Sequence, residues 1–480
     1  DGSGGDEAWG RDEAFAALNG NSTSAASENR VLVHIDMDCF FASVSLLNRP
    51  DLKDQPVAVA HSGGATASGD ARGGEISSAN YVARGYGVRA GMFVRSAKRL
   101  CGHLVVLPYD FDKIKFVSET AYKLFCQLTL KVQAVSCDEA FLDLTGFANP
   151  EAAVARLRTD IEAATGCTAS AGIGPNKLLA RMATKEGKPN GQFRIRSPEH
   201  GIEMMRGKSV RTLPGVGHSL HRALKARGIE TVDQLRSVPL EALRQQHGKH
   251  GEMLYLSARG LDPRPLVVHQ QRKSVGAELN WGVRFFTVAH VETFFHKLGE
   301  EVAERMERAG VLARRIMVKL KRRKPDAGPP GKTLGCGRCD NFSRQCTLSA
   351  YTASPTVLAK TGIRLWRELN LGHPDQLRGV GLHTSDLQRA AVHRAALRTQ
   401  PTLPFVPAPV AEAAESARPP QPTVATSTQP VAPGPEAAPA APSSERQPTV
   451  RPLLRLLRAL GVAGPPAVGT RSSQRAAVHR

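Results

Sequence analysis

The chain has 480 residues, room for roughly two to four compact units, and 41% of it is hydrophobic, enough to build buried cores. Its 64 Lys and Arg against 44 Asp and Glu give a formal net charge of +20, which favours an anionic partner, nucleic acid first, although an acidic protein would ask for the same sign. No apolar run approaches the length of a membrane span, which excludes a membrane partner of that kind.

Residues 1 to 30 are Gly, Ser, Ala, Asn and acid without periodicity and read as a disordered lead-in. The first residue is not methionine, so a fragment or processed form is expected. Structure is predicted to begin at RVLVHIDM, whose β-branched apolar density suits a buried strand. Residues 62 to 75, SGGATASGDARGGE, read as a flexible loop, and ANYVARGYGV as a helix stopped by Gly85 and Gly87. A helix is predicted across 111 to 130. KVQAVSCDEAFLDLTG alternates like two short strands joined around Asp138 and Glu139. Asn149 and Pro150 make a helix start, continued by Val154, Leu157 and Ile161. This order predicts an α+β domain with helices on one sheet face. From 185 to about 265, short helices separated by glycine turns form a small all-α unit. Residues 272 to 388 return to mixed α and β, with an amphipathic helix around 291 to 309 and a strand at RRIMVKLKRRK. From about 397 Pro and Ala dominate, a composition that cannot bury enough surface to fold; within it RPLLRLLRALGV, 451 to 462, has the pattern of a short basic amphipathic helix.

Eight cysteines, at 39, 101, 126, 137, 167, 336, 339 and 346, follow no signal peptide, so reduced thiols in cytosol or nucleus are expected. CGRCDNFSRQC hints at zinc, but a structural site wants four ligands and no fourth Cys or nearby His follows Cys336, Cys339 and Cys346, so free thiols are favoured.

Asp36 interrupts the first apolar strand, and Asp138 and Glu139 sit at a strand turn far downstream. Three acids converging in an apolar setting would repel each other and lose hydration. Divalent cations remove both costs. Mg²⁺ takes carboxylate oxygens together with substrate phosphates, and two ions ~4 Å apart clamp an in-line phosphoryl displacement. The plainer alternative makes each acid a separate surface or capping residue, since isolated DxD and DE pairs are common. Their apolar contexts and the basic chain favour the metal reading.

The segments HIDMDCFFASVSLLNRPDLKDQPVAVA, SSANYVARGYGVRAGM, VSCDEAFLDLTG, SAGIGPNKLLARMATKEGKPNGQF and LPGVG resemble, in order and spacing, the Y-family translesion DNA polymerases. DMDCFF, NRPDLK, LVVLPYDF, AVSCDEA, LARMATK and LPGVGHS resemble its eukaryotic deoxycytidyl transferase branch. The resemblance covers roughly residues 31 to 388 and implies a right-hand polymerase. The palm would be 31–39 and 104–184, small fingers 40–103, an all-α helix–hairpin–helix thumb 185–265, an α/β little finger 272–388, and a disordered tail 397–480.

It further implies that Asp36, Asp138 and Glu139 are catalytic and hold two Mg²⁺, with the Met37 carbonyl as a backbone ligand; Asp38 is outside the standard set. Phe41 matches the family's steric gate against a 2′-hydroxyl. Phe40 reads equally as core packing, while the backbone amides of Cys39, Phe40 and Phe41 would face the triphosphate. Ser78, Tyr81 and Arg84, spaced by three, would share one helix face and suit a triphosphate; on residue type alone, Tyr81 is a half-buried helix residue and Arg84 a solvated charge. Lys177 matches a phosphate-neutralising lysine. Ala90 stands where relatives often carry a polar residue. The hairpin Leu213, Gly215, Val216 and Gly217 would aim successive amides at a DNA phosphate. Lys319, Lys321 and Arg323 alternate onto one strand face and would track DNA phosphates, with an edge-strand charge guard as the bland alternative; KLKRRK also suits nuclear import.

The implied function is translesion synthesis on primer–template DNA, adding deoxynucleotides, dCMP from dCTP foremost, opposite damaged or abasic sites. In that branch an arginine before the palm pairs with dCTP. Arg11 and Arg30 stand outside the matching segment, so weak synthesis with blunted dCTP preference is expected from this stretch alone. The rival reading is a weakly or non-catalytic DNA-binding scaffold that recruits other translesion polymerases and a ubiquitinated sliding clamp through regions not seen here. A two-metal nuclease is a third. The expected location is the nucleus.

Overall fold

A computed structural model of the chain describes residues 30–60, 74–269, 271–280, 282–327 and 335–392. The lead-in before Arg30, most of the 62–75 loop and the Pro/Ala-rich tail with its basic segment lie outside the described residues. The chain divides into two compact units between Gln271 and Arg272.

In the first unit the elements run β1 (Leu32–Met37), α1 (Phe40–Leu46), β2 (Val57–Ala60), β3 (Ile76–Ala79), α2 (Tyr81–Gly85), α3 (Val94–Leu100), β4 (Val105–Leu107), α4 (Phe111–Leu128), β5 (Val132–Ala134), β6 (Glu139–Asp143), α5 (Pro150–Thr165), β7 (Ala169–Gly174), α6 (Lys177–Gly187) and β8 (Gln192–Arg194). Five short helices follow: α7 (Pro198–Met205), α8 (His218–Lys225), α9 (Val232–Arg236), α10 (Leu240–His247) and α11 (Lys249–Ala258).

Strands β5-β6-β1-β7-β8 form one sheet with β1 at its centre. Central position explains why β1 is apolar almost throughout. Val33, Ile35 and Met37 face Ile114, Val117, Ala121 and Phe125 of α4 and Val154, Leu157 and Ile161 of α5. The alternate residues point the other way, where Leu32 and Phe141 meet Ala180 of α6. Helices therefore cover both faces, not one as the element order predicts. Glycine makes the second layer possible: a Cβ on Gly172 would stand 2.1 Å from the Ala180 carbonyl oxygen. Asn149 caps α5 by accepting from the Ala152 amide, as its sequence position predicts.

Strands β3-β2-β4 form a separate small sheet with α2 and α3. Helices α7 to α11 bury a core of their own with Leu178, Leu179 and Met182 from α6. The second unit comprises β9 (Ser274–Leu279), α12 (Val288–Arg308), β10 (Val311–Arg323), β11 (Cys339–Thr352), α13 (Pro355–Leu369) and β12 (Leu377–Arg389). Its sheet order is β11-β10-β12-β9, entirely antiparallel, and α12 and α13 pack on one face.

Candidate active site

Register brings the acids together. Asp36 pairs with Glu139 across β1/β6 and with Ser170 across β1/β7, and the Met37 amide donates to the Asp138 carbonyl at 3.0 Å. Asp36 and Glu139 lie on the α6 side of the sheet, at the strand end that α6 leaves open. Beyond Met37 the chain turns abruptly. Cys39 adopts a left-handed conformation, φ 39 and ψ 46, at the start of α1. Such a conformation costs a non-glycine residue about 1–2 kcal/mol. Its carbonyl accepts from the Ala42 and Ser43 amides and the Ser78 hydroxyl, which hold the bend. The bend sends Phe40 into the core and Phe41 toward the surface. Phe41 stands edge-on to Tyr109, centroids 5.6 Å apart, and Tyr109 stacks on Phe111.

A cavity of about 310 Å³ opens over this bend, with Asp36 and Asp138 as its acids and Arg84 and Lys188 as its cations. Met37, Cys39, Phe40 and Phe41 also line it, with Ala90 and Ser78 at its margin. Lys188 Nζ donates to Asp36 Oδ1 at 2.6 Å and to Asp38 Oδ1 at 3.4 Å. The resemblance points to Lys177, which lies elsewhere: its ammonium donates to the Pro265 carbonyl at 2.8 Å, under the loop that follows α11. Lys188 sits in KEGKPNG, a turn-rich run with two lysines just past a helix, and that pattern was the available signal.

Ser78, Tyr81 and Arg84 do not share a helix face. Ser78 is on β3, and α2 starts only at Tyr81 because Asn80 caps it, accepting from the Ala83 amide. Tyr81 donates to Asp38 Oδ1 at 3.1 Å, leaving Arg84 as the member that lines the cavity as a cation. The Arg84 guanidinium lies 4.8 Å from the Tyr81 ring centroid.

Asp38, left without a role by sequence pattern, is the most elaborately held acid in the site. It is buried and also accepts from the Ser170 and Thr168 hydroxyls and the Asn190 amide. Burial by itself raises its affinity for a proton. Lys188 and those donors outweigh that and hold the carboxyl below its usual range.

Asp138 and Glu139 move the other way. Burial pushes both carboxyls up and nearby Asp36 adds to the effect; Ser136 partly offsets it at Asp138, and Arg181 at Glu139. Arg181 on α6 donates to both Glu139 oxygens at 3.2 and 3.3 Å, a contact sequence pattern does not reveal. Beneath it lies buried His34, its Nε2 3.7 Å from Glu139 Oε2. Burial lowers the His34 pKa to about 3, so the ring is neutral.

Among the described residues no group of three or more His, Cys, Asp or Glu side chains is gathered closely enough to hold a metal ion. Each acid has a donor of its own: Lys188 donates to Asp36, Ser136 to Asp138 and Arg181 to Glu139. The donor chemistry nevertheless suits hard divalent cations. Carboxylate oxygens and the Met37 segment border one cavity, and two of the acids are destabilised in their charged form.

The hairpin at 213–217 is tighter than expected. The amides of Leu213, Val216 and Gly217 donate to Val210, Leu213 and Gly215 carbonyls inside the turn. Gly215, at φ +92, supplies the reversal. In the second unit Lys319, Lys321 and Arg323 project from β10 opposite buried Val318 and Leu320. Because β10 is an interior strand, an edge guard is not their role. Cys339 and Cys346 lie seven positions apart on β11, which places them on opposite faces.

A family model described as impB/mucB/samB family matches residues 35–185, and its C-terminal domain matches 272–397. A DNA polymerase-iota thumb domain matches 211–262. The chain is 43% identical over 390 residues to DNA repair protein REV1 of Arabidopsis thaliana, covering 80% of this chain and 35% of that protein. It is 38% identical over 408 residues to DNA repair protein Rev1 of Drosophila melanogaster, covering 75% and 41%. The chain thus spans well under half the length of these two relatives. With DNA polymerase IV of Gluconobacter oxydans it shares 36% identity over 346 residues, covering 71% of this chain and 91% of that one. A Y-family DNA polymerase chimera, Dbh-Dpo4-Dbh, superposes with a TM-score of 0.62 at 25% identity, covering 74% of this chain and 98% of the chimera. With models matched in order from the first strand to the last, and near-complete coverage of a bacterial relative, the chain belongs to the Y family of DNA polymerases, in the branch of the REV1 DNA repair proteins.

Proposed function

We propose that this chain carries out template-directed DNA synthesis past damaged or abasic sites, transferring deoxynucleotides, dCMP foremost, to a primer 3′ end. The observation that carries this reading is a cavity lined by both Asp36 and Asp138 and by Arg84 and Lys188, with Lys188 already paired to Asp36. Acids and cations bordering one space suit a nucleoside triphosphate that must be gripped by its phosphates and attacked at one of them.

Arg84 and Lys188 would take the triphosphate, Arg84 through its fork of donors and Lys188 as a point charge. The amides of Cys39, Phe40 and Phe41 have no intramolecular acceptor among the described residues and face the same space. Phe41, braced by Tyr109, would lie under the sugar and exclude a 2′-hydroxyl. Ser78 and Tyr81 act one step back, on the Cys39 carbonyl and Asp38. Asp36, Asp138, Glu139 and the Met37 carbonyl would hold divalent cations, two Mg²⁺ in this reading, which when bound acidify the primer hydroxyl and stabilise charge at the phosphate. Lys319, Lys321 and Arg323 would neutralise DNA phosphates without reading sequence. We assign palm 31–39 and 104–184, fingers 40–103, thumb 185–265 and little finger 272–388, and place the work in the nucleus.

Single-nucleotide primer extension tests the reading, with each deoxynucleotide offered opposite guanine and opposite an abasic site. Weak Mg²⁺-dependent addition with a blunted preference for dCMP is expected, and strong dCMP selectivity would overturn the reading that this stretch lacks the dCTP-pairing arginine. The double change Asp138→Ala, Glu139→Ala should abolish addition while DNA binding persists. DNA binding without addition by the unaltered chain would favour the scaffold instead, and shortening of labelled DNA without nucleotides would favour a nuclease.

A further inference from the structure

We propose that Ser118 and Tyr122 are positioning residues: a clamp on one face of α4 that fixes the turn carrying Asp138 and Glu139. The turn's carbonyls, not its side chains, are what α4 holds. The Ser118 hydroxyl donates to the Cys137 carbonyl at 2.5 Å. The Tyr122 hydroxyl reaches two carbonyls, Ser136 at 2.7 Å and Glu139 at 2.9 Å. Ser118 and Tyr122 are one helical turn apart, so a single rigid helix holds the turn at Cys137 through Ser118 and, through the one Tyr122 proton, at the Ser136 or Glu139 carbonyl. Besides the helix, the turn is held by the Met37 amide, which donates to the Asp138 carbonyl at 3.0 Å, and by bonds within itself. The Val135 and Ser136 amides both return to the Glu139 carbonyl, at 3.1 and 3.2 Å, and the Ser136 hydroxyl donates to the Asp138 carboxylate and accepts from the Asp138 and Glu139 amides. Strand pairing through β6 begins at Glu139, so Ser136 and Cys137 lie outside the ladder. Rotation of their peptide planes would swing the Asp138 carboxylate by more than the tolerance of in-line transfer, which is about half an ångström.

This inference rests on the polymerase reading, and the experiment separates the two. Steady-state single-nucleotide extension is compared for the unaltered chain, Tyr122→Phe, Ser118→Ala and Ser118→Thr, with DNA binding and melting temperature measured alongside. Tyr122→Phe keeps the ring that packs on Phe125, centroids 5.1 Å apart, and removes only the hydroxyl. Ser118→Ala improves helix propensity, so a purely structural role predicts unchanged or raised stability and unchanged rate. The clamp predicts instead that kcat falls about tenfold or more in Tyr122→Phe and about fivefold in Ser118→Ala. The KM for dCTP and the DNA affinity should stay within about twofold to threefold, and Ser118→Thr, which restores a hydroxyl, should recover most of the rate. Independently of turnover, the Mn²⁺ concentration giving half of the metal-induced melting shift should rise in Tyr122→Phe. Rates in Tyr122→Phe and Ser118→Ala within twofold of an active unaltered chain overturn the clamp; so does a loss of rate that merely follows a loss of melting temperature. An inactive unaltered chain overturns the polymerase reading first.

Discussion

Replacing Asp38 should loosen the five-stranded sheet more than replacing any of the acids proposed as metal ligands. Its side chain is 2% exposed. Oδ2 accepts from the Asn190 amide at 2.8 Å and the Thr168 hydroxyl at 3.0 Å. Oδ1 accepts from Ser170 at 2.9 Å, Tyr81 at 3.1 Å and Lys188 at 3.4 Å. Asp38→Ala strands these donors and leaves Lys188 with half its counter-charge, a loss of about 3–5 kcal/mol. Asp38→Asn should cost less, about 1–2 kcal/mol. The new amide can keep its oxygen toward the fixed Asn190 N–H and its nitrogen toward Ser170 and Tyr81, whose hydroxyls can turn to accept. Only Lys188 then faces a mismatched partner. Tryptophan fluorescence is a poor probe of this change, because no tryptophan stands between Arg30 and Gln271 and Trp366 belongs to the second unit. Native-state hydrogen exchange at β1 and β7 amides is the appropriate assay. An opening free energy reduced by less than about 1 kcal/mol in Asp38→Ala, or an equal loss in both variants, would refute the reasoning.

Three further outcomes are expected. Phe41→Ala should raise ribonucleotide relative to deoxynucleotide incorporation by at least about tenfold, equal to ~1.4 kcal/mol of discrimination, measured by competing rCTP with dCTP. Lys188→Ala should raise the KM for the incoming nucleotide about tenfold, whereas Lys177→Ala, which removes a bond to the Pro265 carbonyl, should leave KM unchanged and lower stability. Changing Lys319, Lys321 and Arg323 together to Ala should weaken DNA binding for every sequence and reduce the slope of log affinity against log salt by about two to three; an unaltered slope would remove them from the interface.

Elements with a strong period were legible before any coordinates. The strand at β1, the helix of α4, the Asn149 cap and the strand at β10 follow from patterns of burial and capping that act over a few residues. The three acids were also legible, since a carboxylate inside an apolar run is costly and conspicuous. What escaped was set by long-range packing. The second helix layer on the five-stranded sheet depends on Gly172 meeting Ala180, which no local period records. Lys177 and Lys188 are equally polar in sequence, and only the fold sends one to Pro265 and the other to Asp36. Ser78 looks helical by spacing, yet Asn80 resets the start of α2. Asp38 had no visible task because its five partners come from three separate segments, at Tyr81, at Thr168 and Ser170, and at Lys188 and Asn190.

The central place of β1 also bears on how the chain is made. Asp36 emerges from the ribosome long before Glu139 and Ser170, the residues it pairs with on either side. At about 5–20 residues per second, β1 waits on the order of 5–20 s with both edges unpaired. The segment in between can close meanwhile, because β2, β3 and β4 complete a core from nearby residues alone. The growing chain therefore carries a finished module beside an open apolar strand, the sort of edge that invites pairing with other chains. A truncated product that stops before β7 would contain all three acids and still leave one flank of Asp36 unbuilt. A holding chaperone that shields the open strand is what this order of synthesis calls for.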